Sequence, residues 1–203
     1  MESKLVLNAM LFFFILNVAS AQFLMDKTVT AKHGINNTCL EVLKGKNMTL
    51  MQRCEFFKCF EDRFPCGNKY WIMNWGYKYC RRYADPEFTS KFTDRGKKLL
   101  DHVNKCLPRQ LEKFYKSKKS INCKRLYTQA FDAQYKCYAE KQKDFCVAFP
   151  DNKDLFIKVL DQSDFLNFDS ISMIRKSVEK CEPKINLSDL LNSSGVTTPP
   201  EAE

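Results

Sequence analysis

The chain has 203 residues, with 33 Lys and Arg against 24 Asp and Glu, a formal net charge of +9, ten cysteines, and only six glycines and seven prolines. So few glycines and prolines speak against a turn-rich all-β architecture, and the abundance of Lys, Leu and Phe leans helical. The basic surface fits anionic partners, and in an exported chain these are acidic glycans or acidic protein faces in preference to nucleic acid.

Export is read from the first residues. An apolar run from Leu5 to Val18 precedes the small-residue pattern Ala19, Ser20, Ala21. This is the layout of a signal peptide over 1–21, since the run falls short of the roughly 20 apolar residues that span a bilayer. No later run is long enough to span one, so a soluble, secreted product is expected. All ten cysteines lie beyond residue 21, and an even number in an exported chain implies a framework of five disulfides. Zinc is the competing reading, but no C-x-x-C pair occurs and only His33 and His102 are at hand, so neither a metal site nor a cofactor is expected.

Residues 22–38 read as a flexible, polar N-terminal arm ending in a glycosylation sequon at Asn36. A second sequon, at Asn47, stands just before the run from Thr49 to Phe64. That run is helical by pattern, with Leu50, Cys54, Phe57 and Phe60 on one side. Cys54 and Cys59 are five apart, about 140° around a helix, so each needs its own partner. Phe64, Pro65, Cys66, Gly67 then break the helix into a tight turn. From Tyr70 to Tyr83 aromatics interleave with lysine and arginine, a pattern that serves a stacking platform or, more commonly in a stapled domain, a core.

Asp85 and Pro86 are expected to open one long helix through Leu99, Val103, Leu107 and Leu111 to Phe114, kinked or interrupted at Pro108. His102 lies off its apolar stripe and reads as a surface residue. Lys116, Lys118 and Lys119 form a basic linker and are the anion-binding candidates. The segment Cys123 to Cys146 is an amphipathic helix carrying Cys123 and Cys137 on its buried stripe. Fourteen residues at about 1.5 Å each put these two roughly 21 Å apart, far beyond disulfide reach, so both must bond elsewhere. A turn is expected at 147–152, then a further apolar segment. Asp161, Asp164 and Asp169 offer a weak calcium alternative without the D-x-D-x-D-G loop. Ser170 is expected to cap a last helix ending at Cys181. Residues 182–203, with sequons at Asn186 and Asn192, read as a polar disordered tail. No G-x-S-x-G, H-E-x-x-H or phosphate-loop motif occurs, and with five bridges no thiol remains as a nucleophile, so an enzyme is not expected.

One set of residues runs through the chain in a recognisable order. It comprises Cys39 with Leu40, then Cys54, Cys59, Cys66 and Cys80. Phe92 and Gly96 with Lys97 lead to Lys105, Cys106 and Leu107; Cys123 leads to Cys137 with Tyr138, then Cys146 and Cys181. Over residues 39–181 this order resembles the stanniocalcins, secreted disulfide-rich glycoprotein hormones. The resemblance implies an all-α, disulfide-stapled domain, read as about five helices. It implies the pairs Cys39 with Cys59, Cys54 with Cys80, Cys66 with Cys123, Cys106 with Cys137, and Cys146 with Cys181. It further implies a hormone that binds an extracellular protein, a receptor or a secreted metalloproteinase of the pappalysin type, in calcium and phosphate homeostasis. The family's further cysteine beyond the tenth, which links two chains, has no counterpart after Cys181, so a homodimer would lack that bond. The family's usual sequon has no counterpart between Cys59 and Cys66. The rival readings are a helical carrier of apolar ligands lined by the phenylalanines, and a heparin or matrix binder acting through Lys116, Lys118 and Lys119.

Overall fold

The computed structural model of the protein describes residues 25–45, 48–161, 164 and 167–181. The expected signal peptide over 1–21, Asn47, and the expected tail with Asn186 and Asn192 lie outside the described residues. The fold is all-α and stapled, with eight α-helices among the described residues against the five or so expected. A strand β1 (Thr28–Thr30) is followed by α1 (Asn37–Lys44) and α2 (Leu50–Arg63). A π-helical turn (Ile72–Tyr77) runs into α3 (Lys78–Ala84). Then come α4 (Pro86–Thr89), α5 (Asp94–Ser117), β2 (Ser120–Asn122), α6 (Cys123–Ala139), α7 (Gln142–Lys158), α8 (Phe168–Val178) and a 3₁₀ turn to Cys181.

The helix starts are written in local chemistry. Thr49 and Gln52 form a capping box: the Gln52 amide donates to Thr49 Oγ1 at 3.2 Å and the Thr49 amide to Gln52 Oε1 at 2.8 Å. Asn36, Asp85, Thr93, Asn122 and Asn167 cap α1, α4, α5, α6 and α8 through their side-chain oxygens. The cap of α8 is therefore Asn167 and not Ser170. Ser170 sits three residues further on, and its amide is the one that Asn167 Oδ1 accepts, at 3.1 Å. After α2, Gly67 takes φ +104°, a left-handed turn that its missing side chain permits, and its amide donates to Glu61 Oε1 at 2.5 Å.

Four expectations about boundaries are corrected. The long helix from Pro86 breaks at residues 90–93, because Thr93 caps a new start, its Oγ1 accepting from the Gly96 amide at 3.2 Å. Helix α5 then runs unbroken through the buried Pro108. The segment Cys123–Cys146 is two helices, divided at Glu140 and Lys141. The turn expected at 147–152 is helical, since α7 continues past Pro150. Packing overrides the proline there. Buried Asn152 donates to the Ala148 carbonyl at 2.6 Å and to Thr93 Oγ1 at 2.9 Å, and accepts the Thr93 amide at 2.8 Å, locking α7 to the start of α5. A Cβ on Gly96 would lie 2.8 Å from that amide group.

The expected flexible arm is also corrected, for residues 25–38 are tied down at several points. Strand β1 pairs antiparallel with β2, Thr28 opposite Asn122 and Thr30 opposite Ser120, with Val29 and Ile121 turned inward. Beyond the ladder, the Ala31 amide donates to the Lys119 carbonyl at 2.8 Å and the Cys123 amide to the Lys27 carbonyl at 2.7 Å. Buried Arg63 completes the clasp. Its guanidinium donates to the carbonyls of His33, Tyr115 (3.2 Å) and Lys118 (3.4 Å), and lies against the rings of Phe64 and Tyr115. Two segments distant in sequence, the arm at His33 and the end of α5, therefore depend on one cation of α2. Arg63→Ala is expected to cost about 1.5 to 3 kcal/mol. It should speed amide exchange at Ala31 and Lys32 more than in α7, as measured by hydrogen exchange.

The core is aromatic. Helix α2 packs against α1, the π-helical turn, α3 and α5, while α6 packs against α5 and α8. Trp71 and Trp75 both meet Phe131 of α6 edge-on, with ring centroids 6.1 and 4.9 Å apart. The widened π turn presents Gly76 to these rings. A Cβ there would lie 2.6 Å from the Trp71 ring and 2.7 Å from that of Phe57. Neither ring is the free end of a flexible chain. Gly76→Ala is expected to lower stability by about 1 to 3 kcal/mol through overpacking, read from the urea midpoint.

Candidate functional site

Among the sequence-derived candidates the cysteines are the best defined in space. Cys39 bonds Cys59 and joins α1 to α2; Cys54 bonds Cys80 and joins α2 to α3. Cys66 bonds Cys123, Cys106 bonds Cys137, and Cys146 bonds Cys181. The Cα separations run from 5.2 to 5.9 Å, within the range a disulfide accepts. These are the five pairs that the resemblance implies, and they use all ten cysteines. Helix α6 is pinned at both ends, to the turn after α2 and to the middle of α5. The last helix is held differently, by the bridge from α7 to the 3₁₀ turn, with Gln142 donating to the Ser177 carbonyl beside it at 3.1 Å. Replacing Cys146 and Cys181 together by alanine frees a 35-residue separation. About 3 to 4 kcal/mol is expected to be lost in thermal unfolding, with α8 the first to exchange its amides.

The aromatic stretch is core. Tyr70, Trp71, Trp75 and Tyr79 are buried, and only Tyr77 and Tyr83 are half-buried. Lys58 lies over the Tyr77 ring at 5.0 Å. Trp75, Tyr83, Leu107, Tyr138, Phe149 and Met173 surround a cavity of about 90 Å³. Burial pushes the Tyr138 phenol above its ordinary range. Tyr127, whose hydroxyl accepts from Asn167 Nδ2 at 2.5 Å, is raised to about 12, again chiefly by burial.

Two of the three aspartates considered for calcium, Asp161 and Asp164, are engaged by cations of the chain itself. Asp161 Oδ1 accepts from Arg82 at 2.6 Å and Oδ2 from Lys78 at 3.0 Å, while Asp164 Oδ2 takes Lys78 at 3.4 Å. Arg82 also donates to the Val159 carbonyl at 2.7 Å, and the Asp161 amide donates to the Tyr79 hydroxyl at 3.2 Å. This clamp fastens the end of α7 to α3. Asp169 stands apart from it, facing Asp132 of α6. The hydrogen bond from Arg82 holds the Asp161 carboxyl below its ordinary range, whereas burial raises that of Asp164. A depressed folded-state pKa stabilises above the unfolded value, near 3.8, and the gain is lost as the pH falls below it. Asp161 is largely solvated, so Asp161→Asn is expected to cost about 1 kcal/mol or less at pH 7. The difference from the parent protein should close toward pH 3, as checked by urea unfolding at a series of pH values.

His102 is half-buried and not a free surface residue. Its Nε2 lies 3.7 Å from Glu140 Oε2, and both approach Cys106 Sγ, the three ligand-type atoms falling within 4.8 Å of one another. The sulfur is bonded to Cys137, so it offers no thiolate to a metal or to a substrate. Lys116, Lys118 and Lys119 are exposed, but two of them serve the fold through their backbones. Lys118 and Lys119 give carbonyls to Arg63 and Ala31, and the Lys116 ammonium pairs with Glu112 at 2.5 Å. Asn36 is exposed, and its Oδ1 accepts the Thr38 amide at 3.0 Å as the cap of α1.

No family model, no curated protein and no solved structure matches the chain. Among the described residues no helix is long and apolar enough to cross a membrane.

Proposed function

We propose that the protein is an exported, stanniocalcin-like glycoprotein that works by binding another extracellular protein and not by catalysis. The observation that carries this reading is the closed set of five disulfides, which belongs to an oxidising compartment and ties α1 to α2, α2 to α3 and α6, α5 to α6, and α7 to the chain beyond α8. A body so braced loses little conformational entropy on docking, which favours affinity for a protein partner. The order of the cysteines supplies the class of partner, by resemblance. It points to hormone-like action in calcium and phosphate handling and to restraint of a pappalysin-type metalloproteinase. With every cysteine bonded within the chain, a homodimer of this body would be non-covalent.

The apolar-carrier reading is disfavoured by size. Ligand pockets run from about 300 to 1,000 Å³. The aromatic cavity of about 90 Å³ has no room for a lipid chain. The protein-binding reading is tested by incubating the secreted, oxidised protein with a purified pappalysin-type metalloproteinase. Cleavage of its protein substrate and complex formation by gel filtration are the two readouts. Slowed cleavage with a co-eluting complex, both lost when the five bridges are reduced and alkylated, is the expected result. An unchanged rate with no complex contradicts the proposed target.

A further inference from the structure

Helices α5 and α7 pack side by side, and near the break between α6 and α7 they border a groove of about 620 Å³. Arg95 and Lys98 line it from the start of α5, and Lys141 and Lys143 from the start of α7. Asp144 is the one carboxylate residue on its walls, with His102 beside it and Val147 adding apolar surface next to buried Leu99. Lys141 shares Asp144 at 3.9 Å, and His102 is turned toward Glu140. Arg95, Lys98 and Lys143 have no carboxylate partner among the described residues. None of these residues belongs to the 116–119 linker.

Cations collected in a concavity repel one another, and an anion entering the groove relieves that repulsion while the low-dielectric walls focus the field upon it. The start of α7 adds to the same sign. Its N-cap is Lys141, which makes no side-chain cap, and the start of this 17-residue helix carries the positive end of the helix dipole. A single inorganic phosphate would engage one or two of these groups. Cations drawn from two helices across this volume suit an extended polyanion, with the Arg95 guanidinium matched to a planar pair of sulfate oxygens. Half-exposed Val147, beside Leu99, offers an apolar face to a sugar ring. A disulfide-closed chain meets sulfated glycans, and not nucleic acid, in its own compartment.

We infer that this groove binds a segment of sulfated glycosaminoglycan, through Arg95, Lys98, Lys141 and Lys143. The inference stands on the groove, shares with the proposed function the reading that the chain is exported, and is independent of any protein target. The test uses the full secreted protein, a heparin octasaccharide as the probe, and two variants matched in lost charge: R95Q/K98Q/K143Q in the groove and K116Q/K118Q/K119Q in the linker. At physiological salt each Lys or Arg near an anionic surface contributes roughly a factor of five, so the groove variant should bind on the order of a hundredfold more weakly. The linker variant should stay within about threefold of the parent, and parent affinity should fall steeply with salt. In the unmutated protein, bound octasaccharide should shield Lys98, Lys141 and Lys143 from acetylation, which serves as a check free of any folding defect. Equal losses in both variants, a loss confined to the linker variant, or shielding at Lys118 and Lys119 instead of the groove would overturn the inference. So would binding to anionic vesicles or duplex DNA with none to the octasaccharide.

Discussion

Two covalent bonds fix helix α6 at its ends, and the arrangement of the other helices depends on them. Cys66–Cys123 holds its first residue to the turn that closes α2, and Cys106–Cys137 holds its last turn to the middle of α5. A helix that long cannot bond its own two cysteines, which stand roughly 21 Å apart along its axis. It therefore cross-links its neighbours. Once α6 is set, Phe131 provides the surface on which Trp71 and Trp75 converge, and the cavity beside them is what remains between well-filled aromatic walls.

Around this post, polar contacts do the work that a larger apolar core would do in a longer chain. Arg63 clasps the arm and the end of α5 by three carbonyls, Asn152 locks α7 to the start of α5, and the pair Lys78 and Arg82 clamps the end of α7 through Asp161. Each joins elements distant in sequence and each is partly or wholly withdrawn from water. Removal of one partner would leave the others unsatisfied, which is why such groups matter beyond the modest worth of any single hydrogen bond.

Much of this was legible in the residues themselves. The helical stripes, the helix start at Thr49, the break at Phe64–Gly67 and the outward bonding of Cys123 and Cys137 all follow from local periodicity and geometry. What escaped is non-local. Thr28–Thr30 has little pattern of its own and becomes a strand because β2 is brought beside it. Pro150 looks like a stop signal, but Asn152 and the packing of α7 on α5 carry the helix through it. Glu140 and Lys141 interrupt an otherwise continuous apolar stripe, and no residue there announces a break. Arg95, Lys98, Lys141 and Lys143 form one groove only because α5 and α7 meet, whereas the lysines of the 116–119 linker are neighbours in sequence and two of them give backbone carbonyls to the fold.

The claim on which fold and proposed function both rest is the pairing of the cysteines. Proteolysis of the unreduced protein followed by mass spectrometry tests it directly. One linked peptide should join Cys66 to Cys123 and another Cys106 to Cys137, with the remaining three pairs as the structure has them. A peptide linking Cys123 to Cys137, or a free thiol at either, would contradict the account.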